Sequence, residues 1–169
     1  STAMQLDLTT GDIDVAQFPV SAYEAIEEHV EAGDLKGIAT FDGLSCSGKF
    51  KYVHFNLGYG GYWGTGYSSS LPDPEVRKAL VIAIDKDRVV DSIYMGYAEE
   101  GSTLISPANE RWHYEPASSE KFAYDIEAAN EVLENAGYVD IDGDGIRELT
   151  ADCYAVQQGH DTVGNDLSF

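Results

Sequence analysis

The residues best placed to do chemistry are Asp140, Asp142, Asp144, Gly145 and Glu148, in the run DIDGDGIRE. Three carboxylates at i, i+2 and i+4, followed by a glycine for the sharp turn, repeat the start of a calcium-binding loop, because a hard cation takes several oxygens from one tight bend. The match is partial: Ala151 stands where an EF-hand would carry its bidentate Glu, which leaves Glu148 to act at the ninth position. Any calcium affinity is therefore expected to be weak, roughly 0.1–1 mM. The alternative is a glycine-bearing turn leading into a strand, with Arg147 neutralising the neighbouring carboxylates. The spacing leaves both readings open.

No other chemistry assembles in the sequence. His29, His54, His113 and His160 are scattered, no second His or Cys lies at metal-ligand spacing from His54, and neither a nucleophile elbow nor a phosphate-binding glycine loop is present. No resident cofactor is expected beyond weak calcium, and the chain is read as a non-enzyme. Cys46 and Cys153 permit one disulfide in an oxidising compartment or two thiols. Between Gly58 and Ser70, Tyr59, Tyr62, Trp63 and Tyr67 alternate with glycines. Glycine lets a ligand approach the main chain and aromatic rings give broad contact area with a polar tip, so the loop suits a binding surface. It equally suits a surface loop whose rings pack back on the domain.

The elements that position these groups centre on Lys51–Gly96. Lys51–Leu57 alternates and predicts a strand. Asp73 at the N-cap and Pro74 at the first helical position predict a helix whose Val76, Ala79, Leu80, Ala83 and Ile84 form an apolar stripe, widened by Val81 and Ile82. Asp85 breaks it and can cap a second helix carrying Val89, Val90, Ile93 and Tyr94, which Gly96 ends; the two helices are expected to form a packing unit. Upstream, Gly11–Phe18 reads as a short strand, Ser21 and Glu24 as a capping box for a helix ended by Gly33, and Gly37–Phe41 as a β run. Downstream, Tyr97–Tyr114 reads as an extended connection in which Arg111 and Trp112 could reach a ligand, although Trp112 more simply plugs the connection onto the core. Asp125 caps a helix to Ala136 that Gly137 closes, and Leu149–Val156 reads as a final strand before the polar residues 157–161. About four strands and four helices, intermixed and without repeats, predict an α/β fold with a mixed sheet and flanking helices.

Several of these residues carry a resemblance. Phe55 and Asn56, then P-D-P-E-V-R-K-A-L-V-I-A-I-D-K-D-R-V over Pro72–Val89, then Tyr124-Asp125 with the helix to Gly137-Tyr138, then D-G-D-G-I-R-E over Asp142–Glu148, resemble the extracellular substrate-binding proteins of oligopeptide and dipeptide ABC transporters, family 5. Gly11–Ala16, GDIDVA, is similar to the family's usual approach to this region. The resemblance implies that residues 1–169 are a single domain, part of the C-terminal lobe of a two-lobed periplasmic-binding-protein-like fold, with Ser1–Ala3 compatible with an expression remnant. It implies a monomeric lipoprotein, extracellular or periplasmic and membrane-anchored in full-length form, that binds short peptides or other small solutes and delivers them to a membrane permease. The cleft-facing groups would be Asn56, Tyr59, Tyr62, Trp63, Trp112, Gln157 and His160, with Asp73, Arg77 and Asp85 structural. The glycine-rich loop departs from the shorter, proline-bearing loop common in the family. The rival reading is an acidic extracellular calcium-binding interaction module built on Asp140, Asp142, Asp144 and Glu148.

Charge and length narrow the classes further. Ten Lys and Arg stand against 30 Asp and Glu, a net charge of -20, which opposes any sequence-independent grip on nucleic acid or anionic lipid. The 169 residues, 43% hydrophobic, suffice for one core. The longest apolar run, Ala79–Ile84, is far too short to cross a bilayer. Ser1–Leu8 shows neither the basic nor the apolar region of a secretion signal, so export rests on the resemblance alone.

Overall fold

The structure, a computed structural model, describes residues 2–35, 37–40, 50–57 and 68–168. Its elements are helices α1 (Thr2–Thr10), α2 (Val20–Glu31), α3 (Pro74–Ile82), α4 (Lys86–Tyr94) and α5 (Ile126–Asn135), strands β1 (Tyr138–Val139) and β2 (Glu148–Leu149), and the short α6 (Tyr154–Gln157). The chain divides into two compact units, Ser1–Phe50 with Lys86–Pro116, and Lys51–Asp85 with Ala117–Phe169.

The second unit is built on α3. Asp73 is its N-cap and accepts a hydrogen bond from Glu75 N (2.9 Å), with Pro74 in the first turn. Val76, Ala79 and Ile82 are buried on one stripe. The small side chains Ala79, Ala128 and Ala129 let α3 pack closely on α5, and Asp125 N donates to Ile82 O (3.1 Å), joining the start of one helix to the end of the other. Asp125 also caps α5 by accepting from Ala128 N (2.9 Å). After α5, Gly137 turns the chain at φ 87°; a Cβ there would meet Cys153 N at 2.8 Å and Thr150 Oγ1 at 2.7 Å, so glycine is required twice over. The chain then pairs antiparallel, Tyr138 with Leu149 and Val139 with Glu148. Tyr138, Leu149, Cys153 and Ala155 join Val76 in a fully buried cluster, and the Cys153 thiol in it is free.

Two side chains fasten the α3 approach. Arg77 donates from one guanidinium nitrogen to the carbonyls of Leu71 and Pro72, both at 2.8 Å, so it holds loop to helix as a structural residue. The buried Tyr138 hydroxyl donates to Asp73 Oδ2 (3.1 Å). Nearby, Ser68 Oγ donates to Ser168 O (2.6 Å), and Ser69 Oγ to Asp161.

The first unit holds α1, α2 and α4. Ile26 of α2 and Leu35 are its buried apolar side chains among the described residues. Tyr23 meets Tyr97 edge-on (ring centroids 4.9 Å), and Gly33 ends the α2 region in the left-handed conformation. An open cavity of about 770 Å³ lies against Val15, Phe18, Tyr23, Ile38 and Tyr97.

Several expectations are corrected. Residues 11–18, 37–40 and 51–57 form no strand, and the sheet among the described residues is the two-stranded β1–β2 rather than a mixed one. Tyr52 and Val53 both face solvent, so the alternation of Lys51–Leu57 marks no buried face. The final strand stops at Leu149; a turn over Thr150–Asp152 wraps the Gly137 backbone and the chain continues into α6. Helix α2 starts from Pro19 with no side-chain cap, and Ser21 lies inside it. Helix α3 ends at Ile82, leaving Ile84 outside it and exposed. Helix α4 buries no residue and falls in the other unit from α3, so the two helices are not one packing unit. Phe41, Cys46 and the loop residues Tyr59, Tyr62, Trp63 and Tyr67 lie outside the described residues.

Two measurements check this scaffold. Arg77→Ala should lower stability by about 1–3 kcal/mol, since it frees two carbonyls from a charged donor; an unchanged thermal melt would contradict the fastening role. Burial first, then the Asp73 charge, raises the Tyr138 hydroxyl well above its ordinary 10.0. Below pH 10 both states keep that proton and its contribution is whole. As pH rises past 10 the unfolded chain ionises while the folded chain holds the proton, so stability is lost. The stability advantage of wild type over Tyr138→Phe should therefore shrink between pH 9 and pH 11 in urea titrations; a constant difference would refute the assignment.

Candidate functional site

The β1–β2 hairpin brings one set of chemical groups together. Residues 140–147 connect the strands, and Gly143 and Gly145 sit at φ 81° and 91°, where a side chain would be strained. Asp140 accepts from Gly143 N (2.7 Å) through one oxygen and from Gly145 N (3.0 Å) through the other. Asp142 accepts from Asp144 N (3.1 Å), Asp144 from Ile146 N (2.7 Å), and Glu148 from Ile141 N (2.7 Å). Each carboxylate thus satisfies a backbone donor of the bend, and ligand oxygens of Asp140, Asp142, Asp144 and Glu148 lie within 4.8 Å of one another. Glu148 closes the group from the ninth position because Val139 holds it in register.

Four converging carboxylates have one chemical capacity, the binding of a hard cation, since each keeps lone pairs beyond those its N–H partner uses. They also have a structural role that needs no ion: they clip the bend. Arg147 does not neutralise them as expected. Its guanidinium donates to Tyr138 O (2.8 Å), Asn130 Oδ1 (3.1 Å) and Glu134 Oε1 (3.3 Å), fixing the hairpin to α5 instead.

The residues read as cleft-facing are not assembled in this way. Asn56 is exposed in the irregular segment 50–57. Trp112, in the first unit, is 65% exposed with the Arg111 guanidinium 5.5 Å from its ring, so it is not a core plug. Gln157 and His160 share the end of α6 rather than a strand end: Gln157 Nε2 donates to Asp152 O (2.9 Å), and His160 faces the Tyr154 ring at 6.2 Å. Tyr59, Tyr62 and Trp63 lie outside the described residues. The open cavity of the first unit was not anticipated; its walls come from Val15, Phe18 and Ile38, which the sequence offered as strand residues, and from Tyr97 just after Gly96.

Asp140→Ala, which strips two backbone donors of their acceptor, should cost about 1–2 kcal/mol, while Asp142→Asn, which keeps an acceptor and removes a charge, should leave stability equal or higher. Calcium at 1 mM should raise the melting temperature by at most a few degrees, because an affinity of about 0.1 mM yields about 1.4 kcal/mol. A rise of that size at about 0.01 mM would show that the bend is a stronger site than its ligand set predicts.

Comparison with known proteins places these elements. The family model for bacterial extracellular solute-binding proteins, family 5 Middle, matches residues 1–165. The oligopeptide-binding protein AppA of Bacillus subtilis (strain 168) is 29% identical over 147 residues, 86% of this chain and 24% of that protein. The dipeptide-binding protein of Escherichia coli (strain K12) is 33% identical over 82 residues, 48% of this chain and 14% of the relative, and the di/tripeptide-binding protein 1 of Pseudomonas aeruginosa (strain UCBPP-PA14) is 34% identical over 83 residues, 49% and 14%. The chain thus spans about a quarter or less of the length of these relatives. No solved structure matches it. With the match running over nearly the whole sequence, the chain belongs to the bacterial extracellular solute-binding proteins of family 5.

Proposed function

We propose that this chain is part of the substrate-binding component of an ABC transporter and that the whole protein captures short peptides outside the cell for import. The observation that carries the reading is the family match over residues 1–165, joined by relatives whose names specify oligopeptide, dipeptide and di- or tripeptide binding. The chemistry is binding alone, and the partner is a membrane permease. In this reading the chain supplies part of the C-terminal lobe of a two-lobed, monomeric, membrane-anchored lipoprotein. Asn56, Tyr59, Tyr62, Trp63, Trp112, Gln157 and His160 contribute to the ligand-facing side, where rings and amides suit a peptide's mixed surface. The hairpin carboxylates are a structural bend with at most a weak calcium affinity.

Isothermal titration with defined di- to pentapeptides tests this in two arms, the 169-residue chain and a chain extended to the length of its relatives. The short chain should bind only weakly, because one lobe offers part of the contacts and no closure, and association must still offset lost translational and rotational freedom. The extended chain should bind at least one peptide length well. Sub-micromolar binding by the short chain would sink the two-lobe reading; no peptide binding by the extended chain would sink the peptide reading itself.

A further inference from the structure

We infer that this chain is built to fold at high ionic strength, with repulsion among its own carboxylates opposing the folded state at ordinary salt and molar monovalent salt relieving it. The inference starts from the two longest helices. Helix α2 places Glu24, Glu28 and Glu31 at i, i+4 and i+7, and α5 places Glu127, Glu131 and Glu134 at the same spacing. All six are exposed, and neither helix contains a Lys or Arg. Surface helices ordinarily use this spacing for Glu–Lys attraction; here every such pair repels. Glu31 moreover falls in the last turn, where the helix dipole favours a cation; Glu134 sits at the matching place in α5 and is met by Arg147 (3.3 Å), which leaves Glu127 and Glu131 as the repelling pair there.

The basic residues offset this only locally, Lys78 pairing with Glu75 (3.4 Å) and Lys86 with Glu100. The hairpin crowds four carboxylates within 4.8 Å, with Arg147 turned away to α5. Arg77 is spent on carbonyls and Arg111 lies over a tryptophan ring. Across the chain the balance is 30 acidic to 10 basic residues.

The distances decide how much salt is needed. Residues four apart on a helix have Cβ atoms about 5–6 Å from one another, so their carboxylates are neighbours on one face. The screening length is about 10 Å at 0.1 M salt and about 3 Å at 1 M. At 0.1 M the neighbours still repel, and only towards molar salt does screening become shorter than their separation. The apolar core that must hold against the repulsion in α2 is small, with Ile26 and Leu35 the buried hydrophobic side chains described in the first unit; α5 rests on the larger core of the second.

The test is unfolding of the 169-residue chain, followed by far-ultraviolet circular dichroism, in NaCl and KCl from 0.02 to 3 M. The folded signal or melting temperature should rise cooperatively, centred between about 0.1 and 1 M, and alike for the two salts. The variant Glu24→Gln/Glu28→Gln/Glu31→Gln should reach the same stability at lower salt, and Glu127→Gln/Glu131→Gln should do so independently. Sucrose, which strengthens apolar burial without screening charge, should not substitute for salt. Stability independent of salt, an unfolded chain at every salt concentration, or an equal response in wild type and both variants would each overturn the inference. So would recovery of the whole effect by micromolar calcium, which would move its origin to the hairpin carboxylates.

Discussion

One carboxylate holds the second unit together. Asp73 divides its oxygens: one accepts Glu75 N and starts α3, the other accepts the Tyr138 hydroxyl at the base of the hairpin. The first bond is local and the second spans 65 residues. A buried anion is costly unless fully paired, and here two donors and the positive end of a helix surround it. Helix initiation and tertiary docking therefore depend on the same side chain. Whatever removes Asp73 loses both together.

Around that bond small side chains pack beside the larger Val76, Tyr138 and Leu149. Ala79, Ala128, Ala129, Cys153 and Ala155 leave room for backbones to come close, and Gly137 lets the end of α5 touch the Thr150–Cys153 turn. Close approach of the backbones adds dispersion contacts to those of the buried Val76, Tyr138 and Leu149. A unit of this kind tolerates little enlargement, because a single added Cβ at Gly137 meets backbone atoms.

What the sequence disclosed follows from how local each signal is. Asp73-Pro74, Asp125 and Gly137 announce helix ends through bonds within a few residues, and the structure has them in those roles. Arg77, expected to be structural, fastens loop to helix through partners that precede it by only five and six residues. The convergence of Asp140, Asp142, Asp144 and Glu148 was legible from spacing for the same reason. Strands were not: alternation in Lys51–Leu57 or Gly11–Phe18 becomes a strand only when a second chain segment pairs with it, and a single sequence does not name that partner. Helix α1 carries no apolar stripe and buries nothing, so periodicity had nothing to detect. Trp112 shows the limit for single residues, since a tryptophan's burial depends on what the rest of the fold puts over it.

The acidic bend owes its shape to the base beneath it as much as to its own residues. Tyr138 and Leu149 are paired and fully buried, so the two strands leave the core at fixed positions. Arg147 then clamps the returning strand to α5 and to the Tyr138 carbonyl. With both ends held, Glu148 reaches back across the bend to Ile141 N, while Asp140, Asp142 and Asp144 accept from N–H groups two to five residues on. The core thus sets the register that brings Glu148 to the three aspartates. A hairpin of the same sequence without Tyr138, Leu149 and Arg147 in place would have no reason to bring Glu148 back to Asp140.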